Sequence, residues 1–243
     1  MQVLLTLVAV FFLAPLAAAD SLAIKPYACR GYPGFDSQRE LVVAAVKALP
    51  AGRTYFFDDA ESCPYDAGKC RRKAYLVSGD RVIVDNVADQ WACATFVGAK
   101  DETTGYIATK DLEFLPKDKE PELGDWVGTW ESDPDSLEFS IKGGKLQVSG
   151  NALWDGGRND AGDEIVHTGD IEGELEVQSG GKASLPASGE YECAADFQLL
   201  AGVLLVKDNG NCGGMNVNFN GVYRKKVSRK PKQKQQHTPA AGG

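Results

Sequence analysis

Histidine is scarce in this sequence of 243 residues, which contains only His167 and His237. Catalytic triads and histidine-ligated zinc sites need a histidine beside its partners, so this scarcity argues against both. The glycines lie in turn-like stretches, and none of them forms a phosphate-binding loop before a helix. The sequence therefore predicts no catalytic residue, no metal site and no cofactor.

Long apolar runs are missing after the first nineteen residues, which carry no charged side chain. This stretch ends in three alanines before Asp20, as a secretory signal peptide does. It is short and wrongly flanked for a stable membrane span, although a retained anchor is the alternative. We predict a signal peptide over residues 1–19 and a periplasmic or secreted mature chain.

Acidic residues are missing from residues 224–243, which hold seven Lys or Arg, whereas the whole chain has a net charge of −8. An acidic body does not bind nucleic acid by counterion release, so we expect no nucleic-acid partner. Residues 227–243 are too polar to fold alone. We predict a disordered basic tail that either keeps the chain soluble or touches an anionic surface.

All six cysteines follow the predicted signal peptide: Cys29, Cys63, Cys70, Cys93, Cys193 and Cys212. An even number in an exported chain predicts disulfides, and no two cysteines have the two-to-four-residue gap of a zinc site. The first four allow three pairings, among which the sequence does not choose. The short loop between Cys63 and Cys70 favours that pair, which would leave Cys29 with Cys93.

Residues 35–49 have the pattern of a helix. Ser37 and Glu40 have the spacing of a capping box, and an apolar stripe at helical spacing follows them. We predict that this helix packs against a sheet, within a Cys-containing helical segment over residues 20–73.

Residues 74–116 contain the stretches GDRVIV, QWACATF and GYI and end in leucines. This succession resembles the bacterial Src-homology-3-like domain, a small five-stranded barrel found in exported envelope proteins. The resemblance implies that Tyr75, Trp91 and Tyr106 hold an extended peptide. Tyr106 stands where tryptophan is commoner in that family, and Cys93 on a strand is another departure. Trp91 shares a face with Cys93, so it is either exposed or covered by the predicted N-terminal helix.

Residues 116–125 are rich in charge and contain two prolines, which predicts a linker over residues 117–125. Residues 126–226 then alternate apolar and polar side chains strictly, which predicts an antiparallel β-barrel or sandwich. The alternation also points Tyr191 and Met215 inward. The main inward set is Leu146, Val148, Phe197, Leu199, Val217, Phe219 and Tyr223. The expected fold is therefore mainly β, with an N-terminal helix.

A two-residue turn at Ala201-Gly202 would bring Cys193 opposite Gly210, so Cys212 lies within reach of a disulfide. The segment DNGNCGGMNVNFNGVY resembles the C-terminal domain of uncharacterised bacterial exported proteins, which implies no activity. The stretches GTW and FNGVY also resemble the first and last strands of a lipocalin-like barrel.

These features favour a non-catalytic binding protein of the bacterial cell envelope, with a peptide, peptidoglycan or an envelope protein as partner. One alternative is a polysaccharide hydrolase that uses paired carboxylates. The other is a carrier of small apolar ligands, if the C-terminal barrel is hollow.

Overall fold

The computed structural model describes residues 29–30, 40–60 and 62–226, so the predicted signal peptide and basic tail lie outside it. The described residues form two antiparallel sheets and only short helical segments. The mainly β prediction is confirmed. Among these residues, no helix has the length and apolar character needed to cross a membrane.

The first sheet has seven strands: β1 (Val42–Val46), β2 (Arg53–Phe57), β3 (Arg71–Val77), β4 (Arg81–Ala88), β5 (Trp91–Val97), β6 (Glu102–Ala108) and β7 (Leu112–Phe114). Their order is β3-β2-β6-β5-β4-β1-β7. Strand β1 lies between β4 and β7, and the β2–β3 hairpin joins the sheet at β6. The strands curl around a core of aliphatic side chains and Phe56.

The helix predicted over residues 35–49 is wrong for Val42–Val46, which form β1. Residues 35–39 of that prediction lie outside the described part. Three of the five residues of β1 are buried, and a strand buried on both faces shows an apolar run without alternation. Among the described residues, the stretch 20–73 contributes β1, β2, one helical turn, α1 (Ala67–Cys70), and the first three residues of β3.

The second sheet has nine strands: β8 (Gly128–Ser132), β9 (Asp135–Lys142), β10 (Lys145–Arg158), β11 (Glu164–Glu174), β12 (Glu176–Gln178), β13 (Lys182–Leu185), β14 (Ala195–Leu200), β15 (Val203–Asp208) and β16 (Gly221–Lys225). Their order is β11-β10-β9-β8-β16-β15-β14-β13-β12. The two edge strands are consecutive in the chain, with only Leu175 between them. One bent strand over residues 164–178 therefore joins the two ends of the curled sheet.

The concave face of the second sheet is filled with side chains. Phe139 and Phe197 meet edge to face with ring centroids 5.6 Å apart. Trp126 comes from α2 (Leu123–Trp126), a helical turn at the end of the predicted linker. Other large buried side chains of this core include Trp130, Leu137, Phe219 and Tyr223. Packed aromatic rings of this kind do not favour a carrier of apolar ligands.

The predicted inward set is buried except for Leu199, which is half-buried against the same core. Two other inward predictions are wrong. Tyr191 is exposed, and so is Met215, with 74% of its surface accessible. The strand expected around Met215 begins only at Gly221, because the preceding residues form an irregular loop.

Three disulfides are present: Cys29–Cys93, Cys63–Cys70 and Cys193–Cys212. These are the favoured pairings, which the structure confirms. The β14–β15 hairpin has the predicted register, with Leu200 opposite Val203, and the Cys193–Cys212 disulfide lies beyond its open end. Three disulfides indicate an oxidising, extracellular compartment.

The asparagine-rich loop over residues 209–220 is held by bonds between side chains and backbone. The buried carboxylate of Asp208 accepts from Gly210 N at 3.0 Å and from Phe219 N at 2.6 Å. Asn220 Oδ1 in turn accepts from Asp208 N at 2.8 Å. These bonds replace strand pairing, and they let Phe219 reach the core from an irregular backbone.

Gly169 of β11 touches this loop through an isolated bridge with Gly213. A Cβ atom at Gly169 would lie 2.3 Å from the backbone oxygen of Cys212. The contact therefore requires glycine, because no side chain fits between the two backbones.

Candidate functional site

Two of the three predicted ligand contacts are buried. Trp91 begins β5 and Tyr106 lies in β6, and their exposed fractions are 7% and 2%. Both belong to a cluster with Phe57 and the Cys29–Cys93 disulfide. Trp91 and Tyr106 are buried beside this disulfide, so the predicted contact of these two side chains with a ligand does not fit the structure.

The stretch that contains Cys29 is fixed by two links. The Cys29–Cys93 disulfide is one, and the other is the Arg30 guanidinium, whose Nε lies 2.7 and 2.8 Å from the two carboxylate oxygens of Asp59. Asp59 is itself buried. A buried carboxylate needs such a partner, because an unpaired charge away from water is costly.

Within the described residues, two buried polar atoms of this cluster have no hydrogen-bond partner, namely Trp91 Nε1 and Tyr106 Oη. Burial, with the nearby charges of Asp59 and Asp85, raises the pKa of Tyr106 to about 12. The phenol is therefore neutral across the physiological range.

Tyr75 lies in a different environment, on the solvent side of the β2–β3 hairpin. Half of its surface is exposed, and its ring centroid lies 6.1 Å from that of Tyr55. The Arg53 guanidinium lies 4.7 Å from the Tyr75 ring centroid, and the Arg71 guanidinium lies 4.9 Å from that of Tyr55. We call these four residues the aromatic–arginine face.

Sequence reasoning missed three members of this face: Arg53, Tyr55 and Arg71. Tyr55 pairs with Tyr75 across the hairpin, which places the two rings on one side of the sheet. A hairpin prediction for residues 53–77 would have brought these side chains together. The predicted domain boundary at residue 74 instead separated Tyr75 from Arg53, Tyr55 and Arg71, so the two strands were not paired.

A second candidate lies where the two sheets meet. Leu41 and Ile83 pack against Leu205 and Val222 from the second sheet. Arg224 connects the sheets by donating from Nε to Gly98 O at 3.0 Å. Beside this contact lies a cleft of about 930 Å³, which we call the intersheet cleft.

Carboxylates near a smaller cleft of about 650 Å³ all have arginine partners. Asp58 pairs with Arg72 at 3.5 Å, and Glu102 pairs with Arg224 at 2.5 Å. A glycoside hydrolase needs one carboxyl group that stays protonated. Each carboxylate here is already held by an arginine side chain and is not free to act on a substrate, so this arrangement does not favour the hydrolase.

The acidic turn between β10 and β11, over residues 159–163, is organised by its own hydrogen bonds. Asn159 Oδ1 accepts from Ala161 N and Asp163 N, each at 2.9 Å. Within the described part of the chain, no group of three or more His, Cys, Asp or Glu side chains is placed to hold a metal ion.

The chain matches no protein-family model, and no curated protein or solved structure matches it. Function therefore has to be inferred from the geometry of the chain itself.

Proposed function

We propose that this chain is an exported, non-catalytic binding protein of the bacterial cell envelope, either periplasmic or secreted. The three disulfides support an extracytoplasmic location, because that compartment lacks the thiol reductants of the cytosol. The pairing of each carboxylate near the smaller cleft with an arginine supports binding over hydrolysis.

The first sheet is proposed to be a Src-homology-3-like barrel. Strands β4 to β7 lie within the predicted residues 74–116, and β1 from outside that range lies between β4 and β7. Together they form a run of five neighbours, the number in that family, which the β2–β3 hairpin extends at β6. In this proposal the peptide-binding aromatics at Trp91 and Tyr106 are buried beside the Cys29–Cys93 disulfide. The ligand then contacts Tyr75 and the other residues of the aromatic–arginine face.

The proposed ligand is a peptidoglycan fragment that carries carboxylates on its stem peptide. The half-exposed ring of Tyr75, held between Arg53 and Tyr55, is the observation that carries this proposal. An exposed tyrosine ring packs against sugar or peptide groups, and the adjacent guanidinium groups pair with carboxylates in a bidentate manner. Two arginines and two tyrosines on one rigid hairpin supply both contacts.

Isothermal titration calorimetry with soluble muropeptides from a peptidoglycan digest tests the site. Tyr75→Ala and Arg71→Ala should each weaken binding about tenfold, which corresponds to the loss of about 1.4 kcal/mol. Tyr65→Ala is the matched control, because Tyr65 is equally exposed and its hydroxyl contacts only Asp89 among the bonds described, at 3.5 Å. Unchanged affinity in the Tyr75 and Arg71 variants would refute the proposed site.

The Trp91→Ala variant tests whether Trp91 contacts the ligand or only packs in the protein core. Trp91 is buried against Phe57, with ring centroids 4.8 Å apart. Its truncation should lower the free energy of unfolding by about 3–5 kcal/mol. If the variant remains folded, its muropeptide affinity should match the wild type, since the ring does not reach the ligand.

A further inference from the structure

The β2–β3 hairpin is basic, in contrast to the rest of the chain. Strands β2 and β3 together carry four basic side chains and no acidic one, although the whole chain has a net charge of −8. The carboxylates that follow the two strands already have partners. Asp58 pairs with Arg72 at 3.5 Å, and Asp80 Oδ2 accepts from Val77 N at 2.8 Å. The hairpin therefore offers a basic surface on an acidic protein.

Arg53 and Arg71 have no carboxylate partner among the described residues. The other arginines in the described part of the chain all form ion pairs: Arg30, Arg72, Arg81, Arg158 and Arg224. The two unpaired arginines lie at the same tyrosine pair, Arg53 over the Tyr75 ring and Arg71 over the Tyr55 ring. A guanidinium group held over a ring keeps its N–H groups in its own plane, where they are free to donate to a carboxylate.

The positions of the two arginines define the length of a ligand that contacts both. Arg53 lies opposite Val77, and Arg71 lies opposite Phe57, which is four residues further along β2. Four residues of a strand span about 13 Å. The contacts of 4.7, 6.1 and 4.9 Å through the two tyrosine rings limit the distance between the two guanidinium carbons to at most about 16 Å.

An extended peptide offers only certain spacings on one face. Alternate side chains share a face, so the residues that follow residue i on that face, at i+2, i+4 and i+6, lie about 7, about 13 and about 20 Å from it. The spacing of i and i+4 matches the four-residue interval between the arginines, whereas that of i and i+6 exceeds the limit of about 16 Å set by the ring contacts.

We propose that the aromatic–arginine face binds an extended peptide segment with two carboxylates about 13 Å apart, the spacing of residues i and i+4, one held by Arg53 and the other by Arg71. The side chain midway between them then faces the rings of Tyr55 and Tyr75, which favours an apolar residue there. Lys73 is exposed on β3, two residues from Arg71, and adds attraction for an acidic segment. This inference rests on the proposed function, and it specifies that the face contacts the stem peptide of the peptidoglycan fragment.

Titration of the full chain with three synthetic peptides, followed by NMR, tests the spacing. The peptides acetyl-ESVSE-amide and acetyl-SEVES-amide have the same composition, but their carboxylates are four and two residues apart. The peptide acetyl-ESVSQ-amide has a single carboxylate. The first peptide should bind at least about fivefold more tightly than the other two, because only that peptide places one carboxylate on each arginine.

Arg53→Gln should abolish the advantage of acetyl-ESVSE-amide over acetyl-SEVES-amide, because only one arginine then remains to hold a carboxylate. Arg158→Gln is the matched control. Arg158 is an exposed arginine of the second sheet that pairs with Glu164, so its replacement should leave the affinities for all three peptides unchanged.

Equal affinity of the three peptides for the wild-type protein would overturn the inference. So would an advantage of the first peptide that persists in Arg53→Gln with an unchanged melting temperature. Tighter binding of inorganic pyrophosphate than of acetyl-ESVSE-amide would overturn the carboxylate assignment and show a phosphate site. Equal affinity of the peptides, together with muropeptide binding that depends on Tyr75, would leave the proposed function standing while this inference failed. Discrimination among the peptides without any muropeptide binding would refute the proposed peptidoglycan ligand and keep the face as a site for acidic peptides.

Discussion

Removing the three disulfides one at a time should lower stability in the order of the loops that they close. The bonded cysteines are separated by 64 residues in Cys29–Cys93, 19 in Cys193–Cys212 and 7 in Cys63–Cys70. In the chain-entropy model these closures are worth about 4.3, about 3.2 and about 2.4 kcal/mol. Replacing both cysteines of a pair by alanine removes the same atoms each time, so the differences report loop length.

Urea unfolding, followed by far-UV circular dichroism and by tryptophan fluorescence, measures these losses. Agreement between the two probes shows whether both sheets unfold in one transition. The slope against urea should rise in each variant, because an uncrosslinked unfolded chain exposes more surface. The largest and smallest losses should differ by about 2 kcal/mol, which exceeds the usual extrapolation error.

The entropy reasoning is refuted if the Cys63–Cys70 variant loses as much stability as the Cys29–Cys93 variant. That result would mean that local packing around the cysteines, rather than restriction of the unfolded chain, determines what each disulfide contributes.

Three further predictions concern single residues. Gly169→Ala places a Cβ 2.3 Å from Cys212 O, so it should lower the free energy of unfolding by at least about 2 kcal/mol, measured by thermal or urea unfolding. Gly124→Ala is the control, because a Cβ there has open space around it and should change the free energy of unfolding by less than about 1 kcal/mol. Because the pKa of Tyr106 is raised to about 12 from an unfolded value near 10, the stability that this group contributes is present below pH 10 and is lost between about pH 10 and 12. Tyr106→Phe should remove that part of the pH dependence, and an identical alkaline loss in the variant would contradict the assignment. Gln198→Leu removes a buried oxygen that has no hydrogen-bond partner among the described residues, together with one long hydrogen bond. It should therefore raise the free energy of unfolding by up to about 1 kcal/mol. A clear decrease in the free energy of unfolding would show that this oxygen accepts a hydrogen bond in solution.

The sequence predicted strands and their register best where one face of a strand is exposed to solvent and the other is buried. The β14–β15 hairpin could be registered from its turn alone, and that register led to the Cys193–Cys212 pair. In contrast, β1 is flanked by two strands and largely buried, so its run of valines and alanines lacks the alternation that identifies a strand. The structure of β1 is determined by its pairing with β4 and β7, which are distant in the sequence, and the local residue pattern does not indicate this pairing.

In the candidate sites, too, features that depend on a local pattern could be predicted, and features that depend on distant pairing could not. Trp91 could be placed on the face of Cys93, and its burial was one of two alternatives. The aromatic–arginine face could not be predicted, because it depends on a hairpin whose strands were not recognised. The intersheet cleft depends on how two sheets pack, which no single segment encodes.

The Cys63–Cys70 bond lies wholly inside the loop that Cys29–Cys93 closes. In a chain that enters an oxidising compartment N-terminus first, Cys29 and Cys63 arrive before Cys93. The earliest oxidation open to Cys29 therefore gives a mispaired product, which a thiolate must attack before the native bond can form. Cys193 and Cys212 are consecutive cysteines and do not have this problem. The yield of correctly paired protein should therefore depend on thiol–disulfide exchange in the N-terminal half, and not in the C-terminal half.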